Sequence, residues 1–377
     1  MPTAEYRFLD EPRVAGEALR SLAGEKEIAF DLEADSLHSY REKVCLIQLS
    51  SVSKNLVIDP LSCGEALGAL ESLLTDPGLR KVIHGGDYDV LLLKKNFGFG
   101  IRNIFDTMVA AQFTRRPKVG LAALLEEEFG VILDKKHQRA DWSARPLSPE
   151  LLSYAALDTA HLLPLKERLE RDLAGLGRTS WAEEEFRLRE DIEPAPLKEP
   201  SALNVKGALR LGPQQRAFLQ RLVEIRDRAA AEQDRPPFKV LSNTVLLAWI
   251  ESPPANRREV LDTRGASKRN LSLLASSVLE AFSRPLSPGE CTLPPTPEYV
   301  YLTGEQKERL GQLKKARAVM EETLGLPPGL LVNSATLVKL SQMEQEEALA
   351  YLESGLKGWQ RAVAGEEFVK ILQSSRT

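Results

Sequence analysis

The sequence predicts an α/β domain with a mixed sheet over residues 1–190, followed by two all-α helical bundles. Three observations carry that prediction. In the first half, short apolar runs alternate with stretches of helical periodicity, the pattern of strands and helices sharing one core. Residues 191–200, DIEPAPLKEP, are proline-rich and charged and read as a linker, after which the chain is helical throughout. Within that helical half, two segments repeat at a fixed offset of 91 residues.

Ile28-Ala29-Phe30 is a short apolar run that reads as a buried strand, and the run at 44–49 follows at hairpin distance. Residues 55–58 read as a third strand ending at Asp59-Pro60. Residues 65–74 have helical spacing and stop before the turn signal Asp76-Pro77-Gly78. Residues 81–84 form a short strand closed by Gly85-Gly86. Asp87 is placed to cap the next helix, and Gly98 lies just past its end. Helical runs follow at 107–114, at 121–129 and, as one long helix, at 149–173.

At the 91-residue offset, residues 211–226 lie over 302–317 without a gap. Pro236-Pro237 then falls on Pro327-Pro328, Leu246 on Leu337, and Ser242-Asn243 on Asn333-Ser334. Matching proline pairs do not follow from amphipathic spacing, so the segments read as a duplicated domain. A proline cluster at 285–297 separates the copies. The expected boundaries are 1–190, a linker at 191–205, then 206–287 and 298–377.

The chain is 43% hydrophobic and 28% charged, an ordinary globular balance. No apolar run reaches the roughly 18 residues of a membrane helix, and the first residues lack the order of a secretory signal. Cys45, Cys63 and Cys291 are too few and too scattered for a disulfide framework or a zinc site. These readings place the protein in the cytoplasm, off the membrane. Net charge is −4 but unevenly spread: residues 201–290 carry 14 basic against 9 acidic side chains. That segment is where phosphates would be gripped. Its candidates are Arg221 and Arg228, seven apart on one helix, and the cluster Arg257, Arg258, Arg264, Lys268 and Arg269.

Asp31 and Glu33 flank Leu32 at the end of the first strand. Residues i and i+2 of a strand share a face, so the two acids project together and repel. A divalent metal offsets that repulsion. With Asp87 serving the helix start, Asp89 is left to face a cleft. Tyr154 and Asp158 are four apart and share one face of a helix.

Taken together, Asp31-x-Glu33 after an apolar strand, His84-Gly-Gly-x-x-Asp89 and Tyr154-x-x-x-Asp158 resemble the three motifs of the DEDD superfamily of 3′→5′ exonucleases. The tyrosine marks its DEDDy branch. The segment 133–147, LDKKHQRADWSARPL, is similar to the ribonuclease D family in particular, and each helical repeat resembles the HRDC domain (helicase and ribonuclease D, C-terminal). The resemblance implies an RNase H-like mixed sheet flanked by helices and two divalent ions, Mg²⁺ or Mn²⁺, held by Asp31, Glu33, Asp89 and Asp158. Asp31 would bridge both ions, Glu33 and Asp158 complete the site that activates water, and Asp89 serve the second ion. Tyr154 would orient the water, since an ordinary tyrosine pKa of about 10 makes it a poor base.

The implied activity is hydrolysis of RNA from single-stranded 3′ ends to nucleoside 5′-monophosphates, with tRNA precursors as substrate and the protein acting as a monomer. His84, Gln138, Trp142 and Arg145 are candidates to hold the 3′ end. Trp142 would do so by stacking a base, Arg145 by binding a phosphate; a packing residue and a loop brace are the alternative readings. Asp35 and Asp106 read as structural. His38, Tyr40, Arg41 and Lys43 lie on the turn after the acids, where substrate is within reach. The first helical repeat is expected to contact nucleic acid, and the second to pack against the rest of the chain or close a ring over the site. Two rival readings are the same chemistry on single-stranded DNA, separated by recognition of the 2′-hydroxyl, and a catalytically idle nucleic-acid-binding adaptor. The complete acid set argues against the adaptor.

Overall fold

The computed structural model describes residues 5–133, 135–138, 140–196, 199–292 and 301–374. The chain gathers into two compact units, one of Met1–Glu33, Val44–Pro194 and Val300–Thr377, the other of Ala34–Lys43 and Ala195–Tyr299.

The first unit is built on a six-stranded sheet: β1 (Arg7–Leu9), β2 (Glu27–Ala34), β3 (Val44–Ser50), β4 (Asn55–Ile58), β5 (Arg80–Ile83) and β6 (Ile104–Asp106). The strand order is β1-β4-β3-β2-β5-β6. β1 runs parallel to β4, β4 antiparallel to β3, and β2, β5 and β6 are parallel to one another, so the sheet is mixed. The strands at 28–30, 44–49, 55–58 and 81–84 are found where the apolar runs place them. The two edge strands were not expected, because three residues are too few to show a period. β2 lies inside the sheet, which gives the Asp31–Glu33 end a fixed position.

Helices cover this sheet: α1 (Pro12–Arg20), α2 (Leu67–Thr75), α3 (Asp87–Phe97), α4 (Thr107–Phe113), α5 (Leu121–Phe129), α6 (Pro149–Ala160), α7 (Leu162–Gly175) and α8 (Thr179–Glu190). Gly86, not Asp87, occupies the cap position of α3, and Asp87 is its first helical residue. The single helix expected at 149–173 is broken at His161. Pro164 is the reason: it has no amide proton for the Ala160 carbonyl, and its ring crowds that oxygen. Ser148, whose hydroxyl accepts from Leu151, and Pro149 in the first turn set the start of α6.

The second unit holds α9 (Pro213–Glu232), α10 (Pro237–Val240), α11 (Asn243–Glu251), α12 (Arg257–Leu261) and α13 (Lys268–Ser283) around Leu222, Val240, Leu246, Trp249, Leu271 and Val278. The loop 34–43 belongs to this unit. Tyr40 donates its hydroxyl to Asp227 at 2.7 Å and its amide to Asp234 at 3.2 Å, and Lys43 pairs with Asp234 at 2.7 Å. Two of the side chains offered to substrate by the sequence are therefore held by acids of α9 and the residues just after it.

The last four helices, α14 (Gly304–Leu324), α15 (Ser334–Gln342), α16 (Gln345–Gly355) and α17 (Gly358–Ser374), belong to the first unit. Leu313, Leu337, Trp359 and Phe368 share one core with Phe113, Leu169 and Phe186. Trp359 meets Phe113 edge-on at 5.0 Å and stacks on Trp181 at 5.5 Å.

The 91-residue repeat is visible in the hydrogen bonds. Gln215 accepts the amide of Gly212 at 3.0 Å, as Gln306 accepts that of Thr303 at 3.0 Å. Arg226 reaches the Leu241 carbonyl and the Asn243 side chain; Arg317 reaches the Val332 carbonyl and the Ser334 hydroxyl. Of the linker and the proline clusters, residues 197–198 and 293–297 lie outside the described residues, as do residues 298–300 at the expected start of the last domain, and Asp134 and Arg139 of the 133–147 segment.

Arg221 is not a phosphate candidate. It is 6% exposed, and it pairs with Glu290 at 2.7 Å while donating to the carbonyls of Ala281, Arg284 and Pro285. Its work is to tie the end of α13 and the turn after it onto α9. Removing a buried donor set leaves its acceptors unpaired. Arg221→Ala should therefore lower the unfolding temperature by about 5–10 °C, whereas Arg228→Ala changes it by about 2 °C or less. Equal shifts in thermal denaturation of the full chain would contradict this assignment.

Candidate active site

β2 alternates as a half-buried strand does. Phe30 and Leu32 point into the core, while Asp31 and Glu33 are half-buried on the same face. α6 runs over the sheet, its Ala155 and Ala156 packed against β3 and β4 residues such as Leu46 and Val57. That contact carries Asp158 to the two strand acids. Asp31, Glu33 and Asp158 each offer a carboxylate oxygen, and all three oxygens lie within 4.8 Å of one another. Asp89, on α3, is 8% exposed and senses the charge of Asp31.

Burial and crowding together hold these acids above the usual carboxylate range. Burial raises Asp31 to about 7 against the pull of the Leu32 amide. Burial, then the charges of Asp31, Asp158 and Asp89, push Glu33 to about 10. Asp89 and Asp158 are also raised, by burial first and Asp31 second. Among the described residues none of the four forms an ion pair with lysine or arginine. A convergent set of hard oxygen donors lacking a protein cation fits a divalent ion such as Mg²⁺ or Mn²⁺.

Beside the acids is a cavity of about 350 Å³ lined by Asp31, His84, Gln138, Tyr154 and Asp158, with Leu133 and the first turn of α5 closing it. Tyr154 is flanked by two rings, His137 at 5.7 Å and Trp142 at 6.2 Å. His84 approaches Thr107 Oγ1 through Nδ1 at 2.9 Å, and the Thr107 hydroxyl donates to the Ile83 carbonyl at 2.9 Å. With its single proton committed, the threonine oxygen accepts from Nδ1–H, which assigns Nε2 as an acceptor. Burial lowers the His84 pKa and favours this neutral form.

Two of the sequence candidates are corrected. Trp142 is 1% exposed and packed among Cys45, Leu46, Val57 and Leu147, so no base can stack on it; its ring backs Tyr154 instead. Arg145 spends its whole guanidinium on Asp59 and the carbonyls of Trp142, Ala144 and Cys45, which makes it the loop brace. His84 and Gln138 do line the cavity. Asp35 accepts from the Lys43 amide and the Ser39 hydroxyl, and Asp106 from the amides of Gly85 and Gly86, so both are structural. The α5 turn Gly120-Leu121-Ala122-Ala123 was missed, because nothing in small apolar residues at a helix start distinguishes a cavity wall from any other helix.

Residues 6–174 match the 3′-5′ exonuclease family model, and residues 215–281 match the HRDC domain model. The chain is 31% identical to ribonuclease D of Xanthomonas oryzae, over 92% of this chain and 93% of the relative. It is 34% identical to the exosome complex component 10 homolog of Caenorhabditis elegans over 62% of this chain, but spans only 27% of that relative's length. The crystal structure of Escherichia coli RNase D, an exoribonuclease involved in structured RNA processing, matches with a TM-score of 0.71 at 26% identity. The match covers 98% of this chain and 99% of that one. The catalytic core of RRP6 from Trypanosoma brucei matches with a TM-score of 0.66 at 29% identity, over 75% and 83%.

The raised acids make a pH prediction. A carboxyl whose folded pKa exceeds its unfolded value binds more protons in the native state, so stability falls as pH rises between the two values. For Asp31 that window runs from 3.8 to about 7, and for Glu33 from 4.5 to about 10. The metal-free protein should therefore lose unfolding temperature from about pH 5 to about pH 8, Mg²⁺ should restore more at the alkaline end, and Glu33→Gln should flatten the slope. Thermal melts showing a steeper slope in Glu33→Gln, or a pH-independent Mg²⁺ effect, would contradict it.

Proposed function

The chain belongs to the ribonuclease D family and is a 3′→5′ exoribonuclease, and we propose that it acts as a cytoplasmic monomer trimming tRNA precursors from single-stranded 3′ ends. The observation that supports phosphodiester hydrolysis at this site is the convergence of Asp31, Glu33 and Asp158 beside a cavity that Tyr154 and His84 also line. Members of this exonuclease superfamily depend on divalent metal. We propose that Asp31, Glu33, Asp89 and Asp158 would hold a pair of divalent ions, Mg²⁺ or Mn²⁺. When bound, such a pair offsets phosphodiester charge, supplies a nucleophile at neutral pH and stabilises the departing 3′ oxygen.

The chain's own residues do the rest. Tyr154, held between two rings, aims its hydroxyl at the attacking water and fixes its direction. The Nε2 of His84 accepts a hydrogen bond from the 2′-hydroxyl of the terminal ribose. Gln138, exposed at the cavity mouth, hydrogen-bonds the terminal nucleotide. The product is a nucleoside 5′-monophosphate. Arg257, Arg258, Lys268 and Arg269 are all exposed on the second unit, and we assign them to the phosphates of the RNA body.

Two experiments test these assignments. Digestion of matched labelled RNA and DNA oligomers should favour RNA, stop with chelator, and be lost by at least about 1,000-fold in Asp31→Asn without loss of RNA binding. An active Asp31→Asn variant would overturn the metal reading, and equal rates on DNA would overturn the ribose reading. Replacing Arg257, Arg258, Lys268 and Arg269 by glutamate should weaken binding of tRNA-sized RNA and shrink the salt slope by about 3–4. Binding with an unchanged salt slope would remove that surface from the account.

A further inference from the structure

We propose that Arg189 is a positioning residue of the active site, aimed by a carboxylate that the last helical bundle holds. The chain of contacts begins at α17. Trp359 donates its indole N–H to Glu185 at 2.8 Å, and Lys357 pairs with the same oxygen at 2.6 Å. Glu185 is 6% exposed, so this carboxylate is fixed from two sides. Its other oxygen receives Arg189 at 3.4 Å, one turn further along α8.

Arg189 then faces the acids beneath the His84-Gly85-Gly86 loop. Its Nε lies 2.8 Å from Asp87 and 3.3 Å from Asp106, as ion pairs in which Nε is not aligned for a hydrogen bond. Asp106 is fully buried and receives the amides of Gly85 (2.9 Å), Gly86 (3.2 Å), Met108 (2.9 Å) and Val109 (3.2 Å). It thus fixes the loop between His84 and Asp89 and the start of α4, from which Thr107 sets the His84 ring. Gly85 adopts a positive φ of 65°, and a Cβ at Gly86 would run into the Ile83 side chain, so the loop has one tight conformation to lose. A guanidinium that balances three carboxylates here controls where that loop sits. Without it, Asp87 and Asp106 repel each other and the loop carrying His84 and Asp89 shifts against Asp31.

The proposal rests on the hydrolase reading above, and the unmodified enzyme assayed in the same series reports separately on that reading. The experiment measures kcat, KM, the Mg²⁺ midpoint and the unfolding temperature with a short RNA oligomer. Arg189→Met should lower kcat by about 10- to 100-fold and raise the Mg²⁺ midpoint. Arg189→Lys, which keeps the charge, should recover part of both. Trp359→Phe, which keeps the ring and removes the indole donor, should lose a smaller amount in the same direction. The proposal is overturned if Arg189→Met keeps the original kcat and Mg²⁺ midpoint. It is equally overturned if its rate loss vanishes once each protein is assayed equally far below its own unfolding temperature. Should Arg189→Met not fold, an unchanged kcat and Mg²⁺ midpoint in both Arg189→Lys and Trp359→Phe overturns it.

Discussion

Mutual repulsion among half-buried carboxylates is the constraint from which the nuclease part of this molecule takes its form. Ionised oxygens no more than 4.8 Å apart repel by about 3 kcal/mol per pair at an effective dielectric near 20. Several such pairs would consume a large part of the stability of an ordinary domain. The chain meets this by placing Asp31 and Glu33 on an interior strand, where neighbours on both sides forbid retreat. Asp158 is brought in on a helix started by Ser148 and pressed onto the sheet by small alanines. Burial raises the proton affinities of Asp31 and Glu33, and at Glu33 the charges of Asp31, Asp158 and Asp89 add to it. Protons or divalent cations must fill the cluster.

A second consequence concerns the last helical bundle. Its core is continuous with that of the nuclease part through Phe113, Trp181 and Trp359, and Glu184 receives the amides that open α17. The two helical segments make equivalent arginine-to-carbonyl bonds 91 residues apart, yet their surroundings differ. The first repeat keeps exposed arginines and lysines around α12 and α13; the second buries Trp359 against Phe113 of α4 and Trp181 of α8.

Much of this was legible in the sequence for identifiable reasons. Asp31 and Glu33 could be paired because a strand has a period of two, and Tyr154 with Asp158 because a helix brings residues four apart together. The duplicated repeat was readable because proline pairs carry register. What escaped was either too short or too contextual. Three-residue edge strands have no period, and the break at Pro164 was hidden by the continuous leucine spacing on both sides. Trp142 and Arg145 look like nucleic-acid ligands by residue type. Only packing reveals that one backs a tyrosine and the other is committed to Asp59. Arg189 had no signal, since Asp87 and Asp106, two of its three partners, come from distant segments.

Replacement of protons by divalent cations in the acid cluster is directly measurable. Calorimetric titration of Mn²⁺ into the protein at about pH 7, repeated in buffers of different ionisation enthalpy, counts the protons released on binding. With Glu33 at about 10 and Asp31 at about 7, binding should release at least one proton per chain, fewer in Glu33→Gln. Binding without proton release, or the same release from Glu33→Gln, would contradict the account.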